Sequence, residues 1–419
     1  MARPTWYSLV RHLWLEPCEL AEYSRAMGER QHAYDLGNQS AFGAVVSVRT
    51  LRSLSRREAE PPQQTSAFVL ERLIMRFGTF VFSISHDPRE DHQVIENTLR
   101  EVELAEAIGL DAVWLTEHHF DGAVAYADPL VFGAAVAMRT RRVRIGFAVV
   151  EMALHHPIRL AVQTSLLDNL SRGRLIVGTG RGSAYNEFEY IGFGTTMDEG
   201  RHKMAEAEEV LVKAWTGEDV QHKGRYWHLA FPRLRPPPYQ KPHPPLVRAC
   251  IGEASMLEMA KIGRPVLIGV QTLDTLRQRL QRYQETMLTA GFEADAVEKA
   301  LDETWVQRAL YVAESNDEAL DVATIALKRY RHHLDESRRC YNPGGLPPRN
   351  PDAPPSPNEM VEHAFLAGTP QRVAEQIMAL REAGVRNLLL NVNVGQMLPE
   401  QVERSMQLFG DKVLPRLRA

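Results

Sequence analysis

The sequence predicts an α/β protein built as a (β/α)8 TIM barrel with insertions. Three observations carry this. From Met75 onward, short apolar and β-branched runs alternate with segments of helical period, and eight such runs begin near residues 76, 112, 143, 175, 246, 266, 306 and 387. The residue types that carry chemistry follow those runs directly, as they do where strands end at the working face of a barrel. No Gly-rich dinucleotide fingerprint follows the first run at Phe82, which argues against a doubly wound open sheet.

The elements are justified in chain order. Residues 1–74 contain arginines but no lysine, have no sustained apolar period, and run through Arg49–Arg57 into Glu-Ala-Glu-Pro-Pro-Gln-Gln. They are expected to be a poorly ordered N-terminal extension, or to lie outside a native protein that starts at Met75. No signal-peptide core or acid-poor transit pattern is present in them. Met75–Phe82 is apolar and aromatic, a buried strand. Glu90–Ile108 places Ile95, Leu99, Val102 and Ala105 on one helical face and stops at Gly109. Ala112–Leu115 is the second strand, Pro129–Arg139 a helix, Val143–Val150 the third strand, Ile158–Leu170 a helix and Leu175–Gly178 the fourth strand. Then follow the helix Arg201–Trp215, the strand Leu246–Cys250, the helix Ser255–Ile262, the strand Val266–Val270, the helix Leu273–Ala290 and the strand Val306–Val312. The helix Pro370–Ala383, the strand Asn387–Val392 and the helix Glu400–Phe409 close the chain. Two proline-rich stretches interrupt the pattern. Arg233–Pro245 is expected to lead the chain back to the barrel, and Tyr341–Pro357 to form a mobile lid over the catalytic face.

Composition limits the partners. The chain has 49 basic and 53 acidic side chains, a net charge of −4, with 44% hydrophobic and 24% charged residues. That is the profile of a globular protein, and it excludes nucleic acid or an anionic membrane as the main partner. No apolar run reaches the roughly 18 residues of a membrane span. The three cysteines, Cys18, Cys250 and Cys340, form no C-x-x-C pair, so a reducing, cytoplasmic setting is expected.

The strand ends bear the chemistry. Glu117-His118-His119-Phe120 follows the second strand, His155-His156-Pro157 the third, Gly178-Thr179-Gly180-Arg181-Gly182 the fourth and Gly252-Glu253-Ala254-Ser255 the fifth. A histidine pair in a loop is often no more than a set of local hydrogen bonds. The four histidines come with no carboxylate pattern of a metalloenzyme beyond Glu117, so no metal is expected. Gly180 and Gly182 free backbone N–H groups to approach an anion, and Arg181 supplies a forked phosphate donor. Gly252, Glu253, Ala254 and Ser255 open a helix and offer its orphan N–H groups and a hydroxyl, while Arg201 adds charge at another helix start. The residues by themselves thus describe a barrel that binds a phosphorylated ligand beside a histidine-containing pocket.

At these residues the chain from Met75 to its end resembles the bacterial luciferase-like flavin monooxygenases, most of all the alpha subunit of luciferase (the alkanal monooxygenase type). The resemblance runs through Met75–Phe80, Asp111–Phe120, His156–Arg159, Leu167–Arg174, Gly180–Gly182, Met197–Arg201 and Gly368–Pro370, in family order. It implies FMN, reduced by a separate flavin reductase, with its phosphate on Arg181, Arg201 nearby and the Gly252–Ser255 backbone completing the site. It implies His118 as the catalytic histidine and Glu117 shaping the flavin pocket. It also implies a non-prolyl cis peptide at Ala148-Val149. The chain departs from the family where Gly180 replaces a reactive cysteine and Gly252 a phosphate-binding serine. The implied reaction is oxygenation of a small apolar substrate, an aldehyde or similar carbonyl compound, by O2 through a flavin hydroperoxide. The helices at 90–108 and 129–139 match the family's dimer face, so a homo- or heterodimer is implied. The rival readings are a deazaflavin-dependent hydride-transfer enzyme on the same fold, a non-catalytic flavin-binding subunit, and an unrelated phosphate-binding barrel such as an aldolase. The last needs a lysine at a strand end, and none stands there.

Overall fold

The computed structural model describes residues 75–121, 123–348 and 357–418, so the expected extension at 1–74 lies outside the described residues. The strands are β1 (Arg76–Val81), β2 (Ala112–Leu115), β3 (Arg144–Phe147), β4 (Val150–Glu151), β5 (Leu175–Gly180), β6 (Val220–Lys223), β7 (His228–Phe231), β8 (Leu246–Cys250), β9 (Val266–Ile268), β10 (Trp305–Val312), β11 (Phe365–Gly368) and β12 (Asn387–Asn391). Eight of them close a barrel in the order β1-β2-β3-β5-β8-β9-β10-β12, with β12 returning to β1 and every pairing parallel. These are the eight runs expected from the sequence. Parallel neighbours need a crossover between them, and the helices supply it while burying the outer barrel wall.

The helices are α1 (Asp91–Ala107), α2 (Pro129–Arg139), α3 (Pro157–Ser171), α4 (Glu187–Gly192), α5 (Met197–Thr216), α6 (Glu253–Ala260), α7 (Leu273–Thr289), α8 (Ala294–Asp302), α9 (Asn316–Tyr341), α10 (Pro357–Ala364), α11 (Pro370–Glu382), α12 (Pro399–Leu408) and α13 (Leu414–Arg418). Their starts are chemically marked. Asp128 accepts the N–H groups of Leu130 and Val131 with Pro129 at the first position, and Thr196, Ser315 and Thr369 cap α5, α9 and α11 in the same way.

The barrel interior is filled by Phe80, Ala112, Trp114, Ile176, Val247, Leu267, Trp305 and Leu389. Trp114 and Trp305 meet edge to face, with ring centroids 5.2 Å apart. Glycines on the two flanking strands make room for the indole: a Cβ at Gly78 would lie 2.9 Å from Trp114, and one at Gly146 2.3 Å from it. A second core lies between the barrel and its helices, with Val113, Leu115, Ile145 and Val177 meeting Val136, Leu160 and Leu211.

The structure corrects the sequence reading in several places. The third strand does not run unbroken from Val143 to Val150. It stops at Phe147, the Ala148-Val149 peptide is cis, and the chain re-enters the sheet as β4 beside β5. The helix expected from Arg201 begins at Met197, so Arg201 lies in its second turn. The sequence pattern predicts no helix or strand between Val312 and Pro370, yet α9, α10 and β11 lie there. Of the stretch expected as a mobile lid, 341–357, Tyr341 is the last residue of α9 and Pro357 the first of α10, and residues 349–356 lie outside the described residues. The polar hairpin β6–β7 was also unread.

Candidate functional site

Four consecutive barrel strands, β2, β3, β5 and β8, deliver the expected site residues from their C-terminal ends. After β2, Glu117 is 3% exposed. Its Oε1 accepts from Nε2 of His155 at 2.7 Å and Nε2 of His119 at 2.9 Å, and its Oε2 accepts the backbone N–H of Glu151 at 2.7 Å. Burial opposes the charge on Glu117, but these donors outweigh it and hold the carboxyl at about 2. Glu117 is therefore a buried anion whose oxygens are both engaged, and it ties the β2 loop to the β3 and β4 loops. His156, by contrast, accepts the N–H of Ile158 at 3.3 Å as the N-cap of α3, a local structural role.

His118 lies edge-on to Phe82, with ring centroids 5.2 Å apart, and Phe82 in turn lies edge-on to Tyr330 of α9. Nδ1 of His118 is 3.1 Å from Oε1 of Glu189 on α4, and the same oxygen accepts the backbone N–H of His119 at 3.1 Å. Facing a carboxylate, Nδ1 carries the proton and Nε2 is the nitrogen left for the mouth of the barrel. Burial lowers the basicity of the ring, yet the hydrogen bond and charge of Glu189 prevail and raise His118 above the ordinary histidine value. Beneath it, Glu151 and Glu189 are buried, and the Oε2 atom of each has no hydrogen-bond partner. Donor atoms of His118, Glu151 and Glu189 lie within 4.8 Å of one another, a grouping able to hold a cation or to share a proton. Burial first, then the charges of Glu189 and Glu117, push Glu151 well above the usual carboxyl range.

The ends of β5 and β8 offer anion donors. Arg181 follows β5, and its guanidinium forms no ion pair with a described residue; Arg201 is exposed on α5. Gly180 is packed against Val149, whose Cγ2 would be 2.5 Å from a Cβ at 180. Gly182 has φ 112, and a Cβ there would meet the Tyr190 hydroxyl at 2.6 Å, so only glycine keeps this backbone. After β8, the neighbour of β5, Gly252 caps α6 with open space above it and no side-chain cap, leaving the first N–H groups of Glu253, Ala254 and Ser255 to an external acceptor. Two side chains differ from expectation. The Ser255 hydroxyl donates to the carbonyl of Gly252 at 2.7 Å instead of facing outward, and the Glu253 carboxylate pairs with Arg282.

Sequence reading missed Glu151 and Glu189. Glu189 sits in a short helix among other acids, Glu187-Phe-Glu-Tyr, and Glu151 lies inside a run that reads as continuous strand. The one available signal was an acid at the end of an otherwise apolar strand, a position that is costly unless used.

The profile of the luciferase-like monooxygenase family matches residues 75–387. The oxygenase component of flavin-dependent trigonelline monooxygenase from Acinetobacter baylyi is 25% identical over 81% of this chain and 95% of its own length. Monooxygenase RslO1 from Streptomyces bottropensis superposes with a TM-score of 0.70 at 28% identity, covering 82% of this chain and 99% of that one. The oxygenating constituent of 3,6-diketocamphane monooxygenase from Pseudomonas putida, solved in complex with FMN, shares the fold with a TM-score of 0.65 at 20% identity, covering 82% and 98%. With its closed eight-stranded barrel, its histidine site after β2 and this match across most of its length, the chain belongs to the luciferase-like monooxygenase family.

Proposed function

We propose that this protein is the oxygenase component of a two-component, FMN-dependent monooxygenase that takes reduced FMN from a separate reductase and inserts one atom of O2 into a small apolar carbonyl-type substrate. What supports this reading is that four adjacent strand ends carry both candidate anion donors and a carboxylate-held histidine. The donors are the Arg181 guanidinium and the uncapped N-terminus of α6 at Gly252. The histidine is His118, fixed through Nδ1 by Glu189. These residues fit a flavin phosphate: glycines at 180, 182 and 252 keep the backbone accessible, Arg181 brings a forked donor without an ionic partner among the described residues, and Arg201 adds charge. The Ala148-Val149 segment, where the peptide is cis, lies between the two halves. When bound, reduced flavin supplies the reaction with O2, while the protein binds, orients and shields it. Phe82 and Tyr330 keep the histidine side of the mouth apolar. His118, with Nδ1 held by Glu189, has Nε2 left to take a proton from the reacting groups and return it, and Glu117 holds the loop that carries it.

An association face supports a dimer. Val131 and Met138 are exposed on one side of α2, and Leu166 and Leu170 are exposed on α3. No described helix is long and apolar enough to cross a membrane.

The test is turnover with photoreduced FMN, labelled O2 and a panel of aldehydes and ketones. One labelled oxygen atom in the product is expected. Arg181→Ala should weaken FMN binding at least about tenfold by removing a charge-assisted phosphate contact, whereas His118→Gln should bind FMN normally and lose turnover about 10²-fold. Turnover that changes as pH passes through a value above 6.5 in native protein, and loses that dependence in His118→Gln, is expected for His118 moving the proton. Anaerobic hydride transfer with a reduced deazaflavin, and no oxygen incorporation with FMN, would overturn the proposal.

A further inference from the structure

Behind His118 lies a buried pair of carboxyl groups of which the reading above uses only Oε1 of Glu189. Glu151 and Glu189 are 2% and 0% exposed. Each has part of its carboxyl engaged: Oε1 of Glu189 by His118 and His119, and Glu151 by the backbone N–H of Ser183. Each keeps its Oε2 buried and without a hydrogen-bond partner. Their donor atoms, with that of His118, lie within 4.8 Å of one another. Two acids so placed, out of water and at short range, do not both ionise, because one must keep its proton to avoid an uncompensated second charge. The environment selects Glu151 as the bearer. Burial and the negative charges of Glu189 and Glu117 all disfavour its carboxylate, whereas Glu189 has the His118 ring against it.

We propose that Glu151 and Glu189 share one proton and serve His118 as its proton store, Glu189 positioning the ring through Nδ1 and Glu151 keeping the pair singly charged. The role for His118 rests on the functional reading above; the shared proton does not. When Nε2 of His118 takes a proton from the reacting groups, Nδ1 passes its own to Oε1 of Glu189. The carboxyl pair then goes from one proton to two and from singly charged to neutral, while the imidazole stays neutral. The reverse sequence returns the proton to the mouth. The incoming proton is therefore taken up against the negative charge of the carboxyl pair rather than held on the ring alone. The other charged and titratable groups facing this set are Glu117 and Asp121 from the β2 loop, Tyr190 near Glu151 with Arg181 hydrogen-bonded to it, and Arg338 of α9 toward Glu189.

The experiment uses the full chain and three variants, Glu151→Gln, Glu189→Gln and His118→Gln. An infrared difference spectrum of native protein minus Glu151→Gln at neutral pH is expected to show the carbonyl stretch of a neutral carboxylic acid; a carboxylate band alone would overturn the proposal. The His118 ring, titrated by NMR, is expected to lose about one pH unit or more of its midpoint in Glu189→Gln and far less in Glu151→Gln. An unchanged midpoint in Glu189→Gln overturns the positioning role. If Glu189→Gln does not fold, Glu189→Asp, which keeps the charge but withdraws it, replaces it with the same expected direction. A stoichiometric divalent metal in the purified protein, whose removal by chelator changes these signals, would assign the cluster to a cation and overturn the shared proton. Should His118→Gln retain turnover while the neutral-acid band is present, the functional reading of His118 falls and the carboxyl pair stands.

Discussion

Val149 and Gly180 set each other's size. The isopropyl group of Val149 lies where a side chain at 180 would begin, 2.5 Å from a Cβ built there. A thiol at 180, as in the luciferase alpha subunit that the sequence resembles, therefore does not fit unless Val149 shrinks. Gly180→Cys should cost about 1–3 kcal/mol by overpacking, and Val149→Ala should return most of it. Thermal unfolding of the two single variants and the double variant measures this coupling, and additive effects would show that the two sites are independent. Glu117 shows a second dependence at this scale. Its carboxyl, held at about 2 against an ordinary 4.5, contributes stability above pH 4.5 that is lost as pH falls toward 2. Glu117→Gln keeps the shape but loses the charge, so it should cost roughly 2–3 kcal/mol at pH 7 and flatten the acid limb of urea unfolding between pH 4.5 and the pH where the native chain collapses. The sequence showed Glu117 and His118 as a reactive pair. It did not show that Glu117 is saturated with donors while His118 depends on a glutamate 71 positions away, because that partner is brought in by the path of α4.

At the scale of the element, the hydrophobic pattern marks some helices and strands and not others. Helix α1 alternates charged residues with Leu99, Val102 and Ala105 and was read within a residue or two of its observed ends. Helix α9 has 26 residues and an apolar face no weaker than that of α1, though three of its four buried positions are alanines (Ala319, Ala323 and Ala326), and the sequence pattern does not account for its omission. The strand β11 was missed for a topological reason. β10 pairs on one edge with β9 at Trp305 and Val306 and with β11 from Ala309 onward, and no local pattern announces that a barrel strand outruns its neighbour. Helix α1 also carries an element-scale titration. Glu101 is pushed up to about 7 by burial, eased only by the Asn393 amide from the loop after β12. Between pH 4.5 and 7 the folded chain binds a proton at Glu101 that the unfolded chain has released, so stability falls as pH rises through that window and levels above it. Glu101→Gln should remove this slope and leave the variant more stable than native at pH 8 by roughly 1–3 kcal/mol. Equal native and variant urea midpoints at pH 5 and at pH 8 would refute the assignment.

Across the whole molecule, one closed barrel places every strand end on the same face, and its integrity depends on how the interior is filled. Trp114 occupies the space left by Gly78 and Gly146 on the adjoining strands and is itself fully buried. Gly146→Ala should cost about 2–3 kcal/mol, because the added methyl would meet an indole that has nowhere to move. Combining it with Trp114→Leu should recover part of the loss, and calorimetry of the three variants reads it. A fully stable Gly146→Ala protein would contradict this packing. The sequence alone determined the eight-stranded alternation, the barrel class and the loops that bear chemistry, because strand and helix periods, glycine turns and apolar runs are local properties that burial enforces residue by residue. Only the tertiary structure decided which of those loops meet and in what protonation state. The meeting of Glu189 with His118, the two bare carboxyl oxygens of Glu151 and Glu189, and the fit of Val149 to Gly180 arise from barrel closure, which brings distant segments together and removes the water that would otherwise screen and satisfy them.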